Sequence, residues 1–179
     1  MHKSLKDVQQ EPLNLPAGFE WCNLNLADDN EAQELYELLR DNYVEDSEHT
    51  FRFDYPVPFL RWALLYPEHN KDWFVGVRAT KSRKLLAFIS AIPVKVSVSK
   101  SNTLPMAEVN YLCVHKKLRA KRLAPVLIKE VTRRVNLTNV WQAVYTAGVV
   151  VPKPVGTACY YHRSLNSKKL VEVGFNSLP

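Results

Sequence analysis

The apolar and polar positions divide the chain into a helical pair, a block of strands, a strand–turn–helix unit and a mixed tail. Residues 28–43 carry Ala32, Leu35, Leu38, Leu39 and Asn42 at three- and four-residue spacing. That spacing gathers them on one helix face, and Asp28 or Asp29 can cap the free N–H groups of the first turn. Residues 56–65 predict a short apolar helix with Phe59, Trp62 and Ala63 on one side, stopped by Pro67. Residues 73–79 and 85–92 predict a hairpin around the turn 80–84, with Pro93 ending or edging its second strand. Val94, Val96 and Val98 alternate with Lys95, Ser97 and Ser99, the pattern of a strand with one wet face. Residues 100–105 read as a polar loop.

The most informative stretch is 106–135. Residues 109–114 are a short apolar run that predicts a buried strand. Residues 115–122 form a basic turn. A helix follows over 123–135, with Leu123, Leu127, Val131 and Val135 every fourth residue beside Ala124 and Ile128. Pro125 falls in its first turn, where a missing N–H costs no intrahelical bond. A strand running into a helix start offers unpaired N–H groups and the positive end of a helix dipole to an anion. Lys116, Lys117, Arg119, Lys121 and Arg122 surround that point. On charge alone the turn is either a phosphate cradle or a solvated basic turn. Further along, Lys129, Arg133 and Arg134 are expected on a solvated face, with Glu130 and Arg134 paired four residues apart.

The remaining segments are weaker in pattern. Residues 1–18 read as a flexible polar arm, leaving 19–179 as the folded domain. Residues 19–26 are ambiguous, and 44–55 are a loop with acids among Phe51, Phe53 and Tyr55. Residues 140–147 predict a strand, 148–157 a loop, 166–170 a helical turn and 171–175 a last strand; 158–165 have no clear pattern. Strands on both sides of a helix, behind a helical pair, predict an α/β fold with a mixed sheet.

Composition narrows the function. At 179 residues, 46% hydrophobic and 23% charged, the chain is long enough to bury a core of its own. No apolar run approaches a membrane span, and the polar start is no signal peptide. Cys22, Cys113 and Cys159 lack CxxC spacing, and the five histidines lack metal-ligand spacing. Reduced thiols in the cytoplasm are therefore expected, and a metal site is not. Residues 116–134 hold eight Lys/Arg against Glu130, whereas 28–54 hold ten acids against Arg40 and Arg52. One basic and one acidic patch favour two partners of opposite sign over a nucleic-acid coat.

The order of elements resembles the acyl-CoA-dependent N-acyltransferase (GNAT-like) fold, a mixed, mostly antiparallel twisted sheet flanked by helices. In that fold a Gly-containing turn after the long strand holds the CoA pyrophosphate. Arg119 and Ala124 fit its outer positions, but Arg122 stands where Gly is usual. The segments ELYELLRDNYVEDSEHTFRFDY, FISAIPVKV, VNYLCVHKKLRAKRLAPVLIKEVTRRVN and AVYTAGVVVPKPVGTACYYHRSLNSKKLVEV resemble the N-myristoyltransferase family more closely. The likeness runs from about Glu11 to Pro179 and covers the first of that family's two halves.

The resemblance implies a fold, a reaction and a set of roles. The reaction is transfer of myristate from myristoyl-CoA to the N-terminal glycine amine of peptides or nascent proteins, with myristoyl-CoA as co-substrate and no prosthetic group. The alternatives are a single-domain acetyl-CoA-dependent N-acetyltransferase and a basic module for nucleic acid or a membrane surface. Family likeness places an oxyanion-binding pair of N–H groups at Tyr111 and Leu112, on a strand that must bulge to present them. It puts Asn110 and Thr146 near the amine. The donor would lie against Leu112, Cys113, Val114, Arg119, Ala120, Lys121, Arg122, Leu123 and Ala124. The acceptor peptide would pass Tyr43, Val44, Glu45, Asp46, Phe51, Phe53, Tyr160 and His162. A second, C-terminal half is an expected partner of this segment; the family uses the C-terminal carboxylate of its full chain as the base, and the base for this segment stays open.

Overall fold

The computed structural model describes residues 4–44, 53–100, 102–148 and 152–175. The chain divides into two compact units, 1–146 and 147–179.

The first unit holds a five-stranded sheet in the order β1-β2-β3-β4-β5. The strands are β1 (Phe19–Asn23), β2 (Phe74–Ala79), β3 (Leu85–Ser99), β4 (Asn102–Val114) and β5 (Ala143–Val144). The first three pairings are antiparallel and β4–β5 is parallel, so the sheet is mixed and mostly antiparallel, as the sequence predicts. Helices α1 (Asp29–Asn42) and α2 (Val57–Leu64) pack on one face; α3 (Leu123–Leu137) packs on the other.

Each face has its own core. Leu35, Leu38, Leu39, Leu60 and Leu64 meet Phe74, Phe88, Tyr111 and Cys113 under α1 and α2. Leu123, Leu127, Val131 and Val135 meet Val75, Val77, Ile89 and Ala107 under α3. Those four α3 side chains are the fourth-residue repeat of the sequence, and burying each contributes about 1.5–3 kcal/mol. Asp28 caps α1 by accepting from the N–H groups of Asn30 and Glu31 at 2.9 and 3.0 Å. In α2 the buried residues are Leu60 and Leu64, while Phe59 and Trp62 face outward.

Four expectations about the strands need correction. Pro93 does not end its strand, and 94–99 is not a separate one: β3 runs through to Ser99. The reason is geometric. Beyond Ser90 no β2 residue pairs with β3, and Ala107, opposite Pro93, sends its own N–H to Gln142 on the far side. Pro93 thus occupies a non-hydrogen-bonded pair, and its missing donor falls on an open edge. Second, 102–105 is not loop but the start of β4, paired with Lys95–Ser99 of β3. Third, the strand expected over 140–147 is two residues long. Fourth, 171–175 is not a strand. In the second unit α4 (Ser167–Glu172) occupies 171–172, capped by Asn166 accepting from Lys169 N–H at 3.0 Å. Gly174, at φ 76°, then ends it, with Phe175 N–H returning to Leu170 O at 2.8 Å.

Residues 9–15 of the polar arm lie along α3. Glu130 accepts the Leu13 N–H at 3.2 Å, and Arg133 donates to Gln10 O at 2.8 Å. The face around Glu130 is therefore not the solvated surface expected from its charges. Glu130 is fully buried and takes both Arg133 and Arg134, at 2.7 and 2.8 Å.

Candidate functional site

The long strand β4 carries a defect near its C-terminal end. Phe88 pairs with Cys113 and Ser90 with Asn110, so Tyr111 and Leu112 together oppose Ile89. This is a β-bulge. Tyr111 has φ 54°, a left-handed conformation rare for a bulky residue. The inserted residue also reverses which positions face which core. Ala107 and Val109 face the α3 side before the bulge; Leu112 and Val114 face it afterwards. The Tyr111 N–H leaves the ladder and donates to Asn110 Oδ1 at 2.9 Å. Ser90, fully buried, holds Asn110 O with its hydroxyl at 3.0 Å.

Strand β5 ends beside this bulge. The parallel ladder pairs Ala107 with Ala143 and Glu108 with Val144 and stops there; Asn110 and Thr146 each lie two residues beyond that last pair along the chain.

The basic turn follows directly. His115 begins a 3-10 turn, Lys116–Lys121, and its Nδ1 accepts the Lys117 N–H at 3.3 Å. Burial, with the charges of Lys84 and Lys117, holds the His115 pKa below its usual value, which keeps that nitrogen available as an acceptor. Arg122 then adopts φ 54°, ψ 35° and caps α3 with its backbone, without a side-chain hydrogen bond. This geometry explains why glycine is usual at the position: a left-handed residue must join the turn to the helix. Arg122→Gly should raise stability by about 1 kcal/mol, measured by urea unfolding, while removing one charge from the turn.

Other predicted residues are placed differently. Cys113, Val114 and Leu123 are buried in the two cores. Burial pushes the Cys113 thiol up to about 12, against the pull of Arg119, so it is no thiolate at neutral pH. Arg119 turns back onto α1 and donates to Asn42 O at 2.8 Å. Ala120, Lys121 and Arg122 are exposed on the turn, and Ala124 is half-buried.

On the α1–α2 side the rings of Tyr43, Phe53, Tyr55 and Phe59 form a chain that reaches Tyr111. Tyr55 meets Tyr111 edge-on at 5.5 Å, and Tyr43 lies 6.2 Å from it. Burial, together with the neighbouring tyrosines, pushes the Tyr111 phenol up to about 12, so it is neutral. Val44 and Phe53 are exposed. Glu45, Asp46 and Phe51 lie outside the described residues. Tyr160 and His162 belong to the second unit, on exposed chain without helix or strand. Among the described residues there is no group of three or more His, Cys, Asp or Glu that could hold a metal ion. No described helix is long and apolar enough to cross a membrane.

Sequence reasoning missed Asn42, which it placed only on the apolar face of α1. Its polar side chain on that face, next to the loop, was the available signal.

The family model for the N-terminal domain of myristoyl-CoA:protein N-myristoyltransferase matches residues 1–159. The chain belongs to the N-myristoyltransferase family. It is 57% identical over 178 residues to the glycylpeptide N-tetradecanoyltransferase of Dictyostelium discoideum, covering 99% of this chain and 43% of the relative. The Plasmodium falciparum enzyme of the same name is 55% identical over 174 residues, covering 97% and 42%. The crystal structure of Saccharomyces cerevisiae N-myristoyltransferase with bound myristoyl-CoA superposes with a TM-score of 0.91 at 50% identity, covering all of this chain and 42% of that one. The chain thus spans about two fifths of the length of these relatives. A glucosamine-6-phosphate N-acetyltransferase from Arabidopsis thaliana, at 13% identity and TM-score 0.54, shares the fold.

Proposed function

We propose that this chain is the myristoyl-CoA-binding part of a glycylpeptide N-tetradecanoyltransferase, acting on the N-terminal glycine amine of peptides or nascent proteins. The observation that carries this reading is the bulge at Tyr111–Leu112, directly ahead of a basic turn and a helix start. In the reaction the amine attacks the thioester carbonyl, whose oxygen gains negative charge. The main-chain N–H groups of Tyr111 and Leu112 are assigned to that oxygen. Tyr111 N–H exchanges its Asn110 partner for the oxyanion, and loss of one such donor typically costs about 3–4 kcal/mol.

The diphosphate is assigned to the turn 120–124, where main-chain N–H groups, Lys121, Arg122 and the α3 dipole supply positive charge and Ala120 and Ala124 leave room. Asn110 and Thr146 receive the amine. Tyr43, Val44 and Phe53, with Glu45, Asp46 and Phe51, are assigned to the acceptor peptide, as are Tyr160 and His162 of the second unit. Three free cysteines support a reducing, cytoplasmic setting.

Calorimetric titration with myristoyl-CoA, acetyl-CoA and desulpho-CoA tests the reading. Each buried methylene is worth about 0.8 kcal/mol, so affinity should rise steeply with acyl length. Equal binding of acetyl-CoA and myristoyl-CoA would overturn the assignment in favour of a short-chain acyltransferase.

A further inference from the structure

Three parts of the proposed site meet at one dipeptide. Asn42, the last residue of α1, is 8% exposed and is engaged through three of its polar atoms. Its side-chain oxygen accepts the Lys116 N–H at 3.0 Å, and its side-chain amide donates to Leu38 O at 3.0 Å. Its main-chain oxygen accepts from Arg119 Nη2 at 2.8 Å. The basic turn is therefore fastened at its first residue and again three residues on. Tyr43, the next residue, packs against Tyr111 of the bulge and Tyr55 of the aromatic chain.

We infer that Asn42 is a positioning residue for the donor turn: it fixes the backbone of residues 116–119 to the end of α1, and so fixes the N–H groups that follow. It is not a catalytic residue, because nothing places it against the reacting atoms. The physical case rests on the turn's composition. Residues 116–122 hold five cations that repel one another, and of the turn's residues only the half-buried Leu118 packs against a core. Without an anion present, such a segment has little reason to keep one shape, and a half-ordered cradle binds less tightly because ordering it opposes binding. The buried side-chain oxygen of Asn42 on the first N–H, together with its main-chain oxygen on the Arg119 guanidinium, removes that cost in advance. By the same geometry Arg119 acts as a brace and not as a phosphate ligand, and its charge reaches the donor only at a distance.

The inference rests on the donor-binding reading for its purpose, but the brace can be tested without it. Amide exchange should show Lys116 protected in the natural chain. In Asn42→Ala its exchange should speed up at least tenfold, with the amides of Leu127 and Val131 unchanged. Unchanged exchange at Lys116 would overturn the brace. In parallel, myristoyl-CoA titration should show about tenfold weaker binding for Asn42→Ala. Asn42→Asp keeps the acceptor for Lys116 but loses the amide donor to Leu38, so it should be less stable yet bind within threefold of the natural chain. A purely structural role would instead make affinity track stability across the two variants, and that result would overturn the positioning role. If the natural chain itself binds no donor while Lys116 exchange still responds to Asn42, the functional reading fails and the brace stands.

Discussion

Glu130→Gln is expected to destabilise the folded chain by about 3–5 kcal/mol, read as a fall in the urea midpoint with an unchanged slope. The carboxylate is fully buried and holds two guanidiniums that are themselves nearly buried. Removing its charge takes away the carboxylate that both guanidiniums share, in a place that water scarcely reaches. Arg134 keeps hydrogen bonds to Asn23 and Asp72 O, and Arg133 keeps the carbonyls of Gln9 and Gln10 and the weaker pull of Glu11.

The same cluster has a pH signature. Burial alone would raise the Glu130 pKa, but the hydrogen bonds from Arg133, Arg134 and the Leu13 N–H outweigh it and hold the group below the usual carboxylate range. A depressed carboxylate stabilises the fold fully above its unfolded pKa, about 4.3, and that contribution is lost as pH falls through the folded value. The natural chain and Glu130→Gln should therefore differ most near neutrality and converge in acid. A constant gap across that range would mean that the glutamate's shape, and not its charge, supports the cluster.

Arg122→Glu should weaken myristoyl-CoA binding about 100-fold, or roughly 2.8 kcal/mol at 1.4 kcal/mol per tenfold, whereas Lys129→Glu should change it less than threefold. Arg122 stands at the head of α3, at the positive end of its dipole, while Lys129 lies well inside the helix and exposed. A negative side chain at a helix start is itself tolerated or favoured, so the first variant should remain folded and its loss can be read as lost anion binding. Titration at matched ionic strength separates the two. Comparable losses would mean that the donor is held by the diffuse charge of α3 and not by its first turn.

Local sequence signals were enough for α1 and α3 and their inward faces. Fourth-residue spacing from Leu123 to Val135 and the Asp28 cap are local signals, written within a few residues, and neither depends on a distant partner. The sequence also located the basic turn, because charge density at a strand–helix junction is visible in the order of residues alone. Recognition of the family motifs supplied the expectation of a bulge at Tyr111–Leu112. The apolar pattern held a hint of its own, since inward positions shift from odd to even across those residues.

Tertiary structure decided what depends on partners far along the chain. Pro93 could be passed by a continuous strand only because β2 ends before it and Ala107 looks the other way. Glu130 read as a surface ion-pair partner until the arm closed over it, since Leu13 and Glu130 are 117 residues apart. Asn42 read as a slightly polar member of an apolar face, and its role appears only when the turn 116–119 arrives from 74 residues away. In each case a polar group or a missing donor was fixed by a hydrogen-bond partner brought in from a distance, and local periodicity carries no record of such partners.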